Sequence, residues 1–221
     1  LECIGQLDAL AIGEVLALAA RSLAAISDIY ILDLSHMGFV AGLLDGLEED
    51  ARAELLTEIS RKNVPAIRAV CARRGLPADL AQRAGLLAQL YGPPAQVLPQ
   101  LAPLVQNRQM DDALAELRQL CGLMAALGLA ENLRLDFSIV NDMNYYNGVI
   151  FRGYLPGLAS GVLAGGQYDH LLRRMGKTGG AIGFAVYLDQ LDRLDTDEPD
   201  WDVDTLLLYG PEDDLSAVAQ R

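Results

Sequence analysis

Apolar positions recur with two different spacings along the 221 residues of this chain. Residues 8–26 are rich in alanine and leucine and contain no proline, which predicts a helix packed on a hydrophobic core. Residues 28–34 are β-branched and partly alternating, which indicates a strand. From residue 35 to 128 strand patterns are nearly absent, and proline and glycine separate amphipathic runs. Those runs predict a series of helices over residues 37–47, 49–62, 65–74, 78–91, 94–105 and 109–127.

Strand patterns return after residue 128. Apolar residues alternate with polar ones over 133–140, and 145–151 is a second run of this kind. Asparagine and aspartate between the two runs favour a turn, so we expect an antiparallel pair. A glycine-rich stretch at 179–184 leads into a predicted helix at 185–194. Residues 35–128 are therefore interpreted as a helical insertion between the strands of one sheet.

The last part of the chain has a different character. Acidic residues crowd the positions after 194, which we interpret as a solvated linker. Beyond it, residues 203–209 predict a fresh strand and residues 214–221 the start of a helix. The opening residues read as the middle of a fold, so we expect a fragment that also stops just inside a further α/β domain.

The formal net charge of −13 bears on the choice of partner. Affinity for nucleic acid rests largely on lysine and arginine at phosphates, and so acidic a chain shows no obvious patch of that kind. No apolar run approaches the length of a membrane span. We therefore expect neither nucleic acid nor a membrane as a partner.

The cysteines and histidines indicate no metal site. Three cysteines lie far apart in the sequence and form no CxxC pair, which favours a reducing, cytoplasmic setting and argues against bound zinc. His36 and His170 are too few and too distant in sequence to suggest metal ligands or a catalytic pair, so both are interpreted as structural or surface residues.

Two short motifs carry a resemblance to a known family. Residues 141–146 read Asn-Asp-Met-Asn-Tyr-Tyr and resemble the Arg-Gly-Leu-Asp-Tyr-Tyr motif in the histidine-recognition region of histidyl-tRNA synthetases. Residues 165–169 read Gly-Gly-Gln-Tyr-Asp and resemble Gly-Gly-Arg-Tyr-Asp of the same family. Residues 1–5 and 181–185 resemble the end of the second class motif and the start of the third. The chain resembles more closely a synthetase paralogue, the regulatory subunit of ATP phosphoribosyltransferase.

The resemblance implies a fold and a domain order. We expect an α+β fold in which a class II aminoacyl-tRNA synthetase-like antiparallel sheet is flanked by helices. The synthetase-like core would comprise residues 1–34 and 129–195, without its N-terminal part, and the helical insertion residues 35–128. An acidic linker at 196–202 and the start of a C-terminal α/β domain at 203–221 complete the expected order.

Three positions depart from the synthetase pattern, and at each a neutral amide stands where the family has an arginine: Asn141, Gln167 and Gln190. The resemblance places these positions where ATP would lie or approach, and a neutral amide has no positive charge. Losing one such contact costs about a hundredfold or more in rate. Glu2 remains where synthetases have a glutamate that meets the adenine. The pattern thus predicts an amino-acid pocket without adenylation chemistry.

The histidine-binding candidates are residues of the two motifs: Asp142, Tyr145, Tyr146, Gly165, Gly166, Tyr168 and Asp169. Tyrosine hydroxyls and ring edges suit an imidazole, a carboxylate suits an ammonium, and adjacent glycines let the backbone approach a ligand. The plain alternative is that the tyrosines are core residues and the glycines form a turn.

The resemblance therefore implies a regulatory subunit that is not itself an enzyme. Its expected partners are the catalytic subunit of ATP phosphoribosyltransferase, which performs the first step of histidine biosynthesis, and a second copy of itself. Histidine is the expected effector, in feedback inhibition, and no cofactor is expected. Two alternatives stay open: a divergent histidyl-tRNA synthetase, and a stand-alone pseudo-synthetase that acts as a sensor or interaction module.

Overall fold

The computed structural model describes residues 1–140, 146–192, 194, 206–212, 214 and 216–217. Three residues singled out in the sequence, Asn141, Asp142 and Tyr145, lie outside this part, as does the predicted linker at 196–202. The strand predicted over 203–209 is described only from residue 206 onward, and residues 206–209 are not in a strand.

One mixed sheet of seven strands organises the described residues. The strands are β1 (Glu2–Gly5), β2 (Ile31–His36), β3 (Tyr91–Gly92), β4 (Leu133–Asp136), β5 (Val149–Tyr154), β6 (Leu163–Gln167) and β7 (Gly180–Val186). Their order is β1-β7-β6-β5-β2-β4-β3. Within this sheet β2 and β4 run parallel, and the other neighbouring pairs are antiparallel.

The described part of the chain holds nine α-helices, six of them between β2 and β4 in the sequence. The helices are α1 (Ala9–Ala24), α2 (Met37–Leu43), α3 (Glu49–Ser60), α4 (Val64–Arg73), α5 (Ala78–Gln89), α6 (Pro94–Leu101), α7 (Arg108–Ala126), α8 (Asp169–Arg174) and α9 (Leu188–Leu191). The helices predicted between residues 37 and 127 are confirmed, with ends that shift by a few residues. None of these helices is both long and apolar enough to cross a lipid bilayer.

Side chains just before three helices explain where those helices begin. The side chains of Asp8, Asn63 and Asn107 accept hydrogen bonds from backbone amides in the first turns of α1, α4 and α7, at 2.8, 3.2 and 3.0 Å. Such caps satisfy amides that have no partner within the helix, and each contributes about 1 kcal/mol.

Two further predictions from the sequence are wrong. The runs that became β4 and β5 do not pair, because β2 lies between them and bonds to both. β2 is buried at five of its six positions, as expected of a strand in the middle of a sheet. The helix predicted at 185–194 is shorter, because Ala185 pairs with Ala164 in the sheet and α9 begins only at Leu188. Long-range strand pairing overrides the local helix propensity of alanine.

The sheet has two chemically different faces. Register and alternation place one set of side chains on the face that we call the back face: Leu32, Leu34, Leu133, Leu135, Phe151, Leu163, Ile182 and Phe184. They are all buried. Gly153 shows that α1 packs here, because a Cβ at Gly153 would lie 2.6 Å from Leu23 Cδ1. The back face is therefore the apolar support of the fold.

The opposite side, which we call the front face, also has three isoleucines, Ile4, Ile31 and Ile150. Its other residues are mostly polar or small: Glu2, Asp33, Ser35, Arg134, Asp136, Arg152, Ala164, Gly166, Gly183 and Ala185. Asp33, Ser35 and Asp136 are buried although they are polar. Residues of α3–α5 belong to the same hydrophobic cluster as the back face. The helical region and the sheet thus share a core, and the domain division stays a prediction.

Candidate functional site

A cleft of about 810 Å³ lies between α3 and one edge of the sheet. The sheet side consists of segments that follow β2, β4 and β6 and of the segment that precedes β5, together with parts of α2 and α7. Its lining residues are Met37, Ala41, Gln109, Val140, Tyr146, Asn147 and His170. The volume falls in the usual range for small-molecule sites.

One face of α3 forms the opposite wall. The lining residues from this helix are Glu49, Arg52, Ala53, Leu56, Thr57 and Ser60. Their spacing of three or four residues places them on one side of an α-helix. The side that carries Ala51, Leu55 and Ile59 is buried in the core. Helical periodicity therefore explains why the polar side of α3 lines the cleft.

Gly166 gives room to the ring of Tyr146, a histidine-binding candidate. A Cβ at position 166 would lie 2.6 Å from Tyr146 Cδ1 and 2.8 Å from Ile150 Cγ2. Tyr146 also packs against the small buried cluster that contains Tyr168. The structure thus brings together three of the predicted site residues, and Tyr146 is the one that lines the cleft.

Gly165 faces the other way. A Cβ there would collide with the carbonyl oxygen of Gly183 and would lie 2.6 Å from both Phe184 Cβ and Phe151 Cζ. We expected both glycines to leave the backbone open to a ligand. Instead, the chain's own atoms fill the room beside each, because Gly165 permits packing on the back face and Gly166 seats a tyrosine.

The carboxylate of Asp169 is engaged within the protein. Oδ1 accepts from the backbone amide of Ala181 at 3.0 Å, and Oδ2 accepts from Asn147 Nδ2 at 3.1 Å and from Gln167 Nε2 at 2.8 Å. We proposed this carboxylate for an ammonium group. The observed bonds make it instead an anchor that orients two amides beside the cleft.

Each of these two side-chain amides also has an oxygen atom that accepts no hydrogen bond from the described residues. Asn147 Oδ1 and Gln167 Oε1 are buried, and neither has a hydrogen-bond partner among the described residues. A Cβ at Gly148 would collide with the side chain of Gln167, so glycine there leaves room for this amide. Leaving a buried acceptor without a donor costs about 1–3 kcal/mol, which marks these atoms as candidates for ligand contact.

Glu2 and Gln190 do not line the cleft. Glu2 lies at the edge strand β1, where a Cβ at Gly183 would meet its carboxylate. Gln190 Oε1 accepts from Ser160 Oγ at 2.8 Å, and its Nε2 donates to Asp189 Oδ2 at 2.8 Å. Gln167 and Gln190 thus each donate to a carboxylate, and both residues are neutral.

A second, smaller pocket of about 320 Å³ lies on the front face where β2 and β4 meet. Lys62 Nζ is 2.9 Å from Asp136 Oδ2 and 4.9 Å from the ring centroid of Tyr91. Asp33 is 5% exposed and its Oδ1 has no partner in the described structure. Burial, and next the charge of Asp136, raise the pKa of Asp33 to about 7. Strand alternation did not single out this pair of buried carboxylates.

His36 has a structural role. Its Nδ1 accepts from the amide of Gly38 at 3.0 Å at the start of α2, and its Nε2 lies 3.0 Å from Glu116 Oε2. His170 lines the cleft. In the described ranges no group of histidine, cysteine, aspartate and glutamate is placed to hold a metal ion.

The family model of histidyl-tRNA synthetase matches residues 1–191. The chain belongs to this family. Its likeness to regulatory subunits, predicted from the motifs, is also confirmed. The ATP phosphoribosyltransferase regulatory subunit of Symbiobacterium thermophilum is 33% identical over 194 residues, which cover 86% of this chain and 48% of that protein. This chain spans about half the length of the curated relatives it matches.

Solved structures agree on the fold. A crystal structure described as an ATP phosphoribosyltransferase regulatory subunit/histidyl-tRNA synthetase, from Bacillus halodurans C, matches with a TM-score of 0.78 and 31% identity over 86% of this chain and 51% of that one. Histidyl-tRNA synthetase from Nostoc sp. PCC 7120 matches with a TM-score of 0.74 and 17% identity over 87% and 48%, which shows the fold alone. The predicted class II synthetase-like α+β fold is confirmed, with one parallel strand pair in its sheet.

Proposed function

We propose that this chain is part of a regulatory subunit of ATP phosphoribosyltransferase. In this role it activates the catalytic subunit in the first step of histidine biosynthesis and conveys feedback inhibition by histidine, without aminoacylation of its own. The names of the relatives support the proposal. The charge of the cleft supports it independently.

The charge of the cleft is the observation that carries the proposal. Among its described lining residues, Arg52 is the one lysine or arginine. A single guanidinium matches one carboxylate, whereas a triphosphate in reaction needs several cations around its developing charge. The two described positions where synthetases have arginine hold Gln167 and Gln190. The cleft therefore suits binding of an amino acid better than its activation by ATP.

The proposed partners are the catalytic phosphoribosyltransferase subunit and a second copy of this chain. A net charge of −13 gives nucleic acid no electrostatic advantage on this protein. The three cysteines are free, and two of them are buried, which suits the reducing cytoplasm where we place the complex. Histidine acts as effector because it binds two states of the complex with different affinity.

The decisive experiment is a feedback assay on the purified complex of this subunit with its catalytic partner. Phosphoribosyl transfer from phosphoribosyl pyrophosphate to ATP is measured with rising histidine, and with alanine as the control amino acid. We expect histidine to inhibit and alanine to have no effect. Transfer that histidine leaves unchanged contradicts the proposal.

A divergent histidyl-tRNA synthetase is the second candidate. It is favoured by the family model and by the double description of the Bacillus halodurans C structure. Histidine-dependent exchange between ATP and pyrophosphate separates the two, because only a synthetase forms the adenylate. We expect no exchange above background, and measurable exchange by the intact protein would establish the synthetase.

A further inference from the structure

We propose that Arg52 of α3 binds the α-carboxylate of the amino-acid effector, so that the ligand joins the helical region to the sheet. This inference rests on the proposed function, since it names the group that recognises the effector. The motifs of the sheet do not contain Arg52. Three observations support it. The guanidinium is weakly paired, the opposite wall of the cleft offers an acceptor and an aromatic ring, and a free amino acid fits the groups between them.

The guanidinium of Arg52 is held in place but weakly paired. Its NH2 group donates to the backbone oxygen of Leu47 at 3.2 Å, and NH1 lies 3.5 Å from Glu49 Oε2. The side chain of Glu49 is 75% exposed, and so long a contact to an exposed carboxylate contributes little. Arg52 itself is only 31% exposed, and its buried Nε has no partner in the described chain. The cation therefore has capacity for an anion.

The facing wall offers acceptors and an aromatic ring. Tyr146 and Asn147 line the cleft opposite α3, and Asn147 Oδ1 has no donor among the described residues. Asn147 is oriented by its bond to Asp169, so its amide is preset without a ligand. The cleft thus has a cation on one wall and, on the other, a residue whose buried amide oxygen has no partner among the described residues.

The two hydroxyl groups of α3 that line the cleft already donate hydrogen bonds within the helix, so they do not compete with Arg52 for the carboxylate. Thr57 Oγ1 donates to Ala53 O at 2.9 Å, and Ser60 Oγ donates to Thr57 O at 2.7 Å, both within α3. A free α-amino acid complements what remains, because its carboxylate suits Arg52 and its ammonium suits Asn147 Oδ1 or the carboxylate of Glu49. A carboxylate on a guanidinium makes two parallel charge-assisted hydrogen bonds.

A ligand bound between the two walls of the cleft affects the position of α3 relative to the sheet. Arg52 belongs to α3, whereas Tyr146 and Asn147 immediately precede β5 in the sheet. A ligand that contacts both walls favours the position of α3 in which both contacts form. Differential affinity for two positions of one element is what an allosteric effector requires.

The test compares histidine with histidinol, its analogue without the carboxylate, by calorimetric titration of the intact protein alone and with its catalytic partner. The variants are Arg52→Gln, Arg52→Lys and Arg61→Gln. Arg61 is the matched control, because it also pairs with a glutamate three residues earlier, at 3.2 Å, but lies outside the cleft. Urea denaturation of each variant checks that it folds.

We expect the wild-type protein and Arg61→Gln to prefer histidine over histidinol by about 10- to 100-fold, the usual effect of one hydrogen-bonded charge. Arg52→Gln should lose that preference while its affinity for histidinol stays within about twofold, and Arg52→Lys should retain part of it. Equal affinity of the wild type for both ligands overturns the inference, whether or not the variant folds, and so does an equal loss of both in Arg52→Gln. A wild type that binds neither ligand contradicts the proposed function as well.

Discussion

Phe151 and Arg152 are neighbours on β5, and their side chains lie on opposite faces of the sheet. Phe151 is 2% exposed on the back face, where it meets Phe184 with ring centroids 6.3 Å apart. Arg152 is half-buried on the front face, opposite Asp33 of β2. The same strand thus supplies an apolar support on one side and charge on the other.

The difference shows which side of the sheet is built for stability. On the back face the middle of each described central strand carries apolar or small side chains, and the polar ones, His36 and Gln167, stand at the strand ends. On the front face Asp33 is buried with an oxygen that has no partner in the described structure, at a typical cost of about 1–3 kcal/mol. A fold selected for stability alone would avoid that cost, so we assign function to the front face and to the cleft at its edge.

The largest expected effect is the loss of a back-face aromatic. Phe151→Ala should lower the free energy of unfolding by about 3–5 kcal/mol, because it removes buried contacts and leaves a cavity. Arg152→Ala on the opposite face should change it by less than about 1 kcal/mol. Urea denaturation of both variants measures the difference. A similar loss of unfolding free energy in the two variants would show that the back face does not contribute more to stability than the front face.

The adjacent glycines of β6 give a second, smaller contrast. Gly165→Ala should cost about 2–3 kcal/mol, because its Cβ meets the backbone oxygen of Gly183. Gly166→Ala should cost about 1 kcal/mol, because its Cβ meets the half-buried Tyr146 ring and another side chain instead of backbone. Only the second change should displace Tyr146 from the cleft and weaken histidine binding, as titration would measure. Weaker binding in Gly165→Ala alone would reverse our assignment of the two glycines.

Asp33 gives the smallest effect and the clearest dependence on pH. Its pKa is about 7 in the folded protein against an ordinary value of 3.8. Between those values the folded state holds a proton that the unfolded state has released, so stability falls as the pH rises from about 4 to about 7. The full shift corresponds to about 4 kcal/mol. We expect on the order of 2 kcal/mol, because the open pocket admits water that screens the charge.

Asp33→Asn removes this titration. At pH 8 the variant should be more stable than the wild type by on the order of 1–2 kcal/mol, and the difference should vanish toward pH 4. Asp112→Asn is the control, since Asp112 is 71% exposed. Thermal denaturation across this pH range makes the measurement. A difference between the wild type and Asp33→Asn that stays constant from pH 4 to pH 8 would show that Asp33 does not titrate in this range.

Much of the helical region was predictable because its signals are local. The pattern placed α3 at 49–62 and α7 at 109–127, and the structure has them at Glu49–Ser60 and Arg108–Ala126. Strand partners were not predictable in the same way. β4 and β5 follow each other in sequence, yet β2 pairs with both, because strand order depends on contacts between distant segments.

The residues of the candidate site also differ in whether local sequence could predict them. Tyr146, Gly166 and Tyr168 lie together as the motifs predicted, because they belong to short segments that adjoin in the sheet. Arg52 had no signal in the sequence, since it is one of several arginines on amphipathic helices. Its position in the cleft depends on how α3 packs against the sheet. Contacts between distant segments are the part that the sequence alone did not reveal.

Hydrogen exchange of the intact protein, in complex with its catalytic partner and with or without histidine, tests the central claim most directly. If the effector occupies the cleft at the front edge of the sheet, exchange should slow in α3 and in the segment before β5, while α1 behind the sheet stays unchanged. Slower exchange confined to α1, or no change in α3 when histidine saturates the complex, would contradict the account.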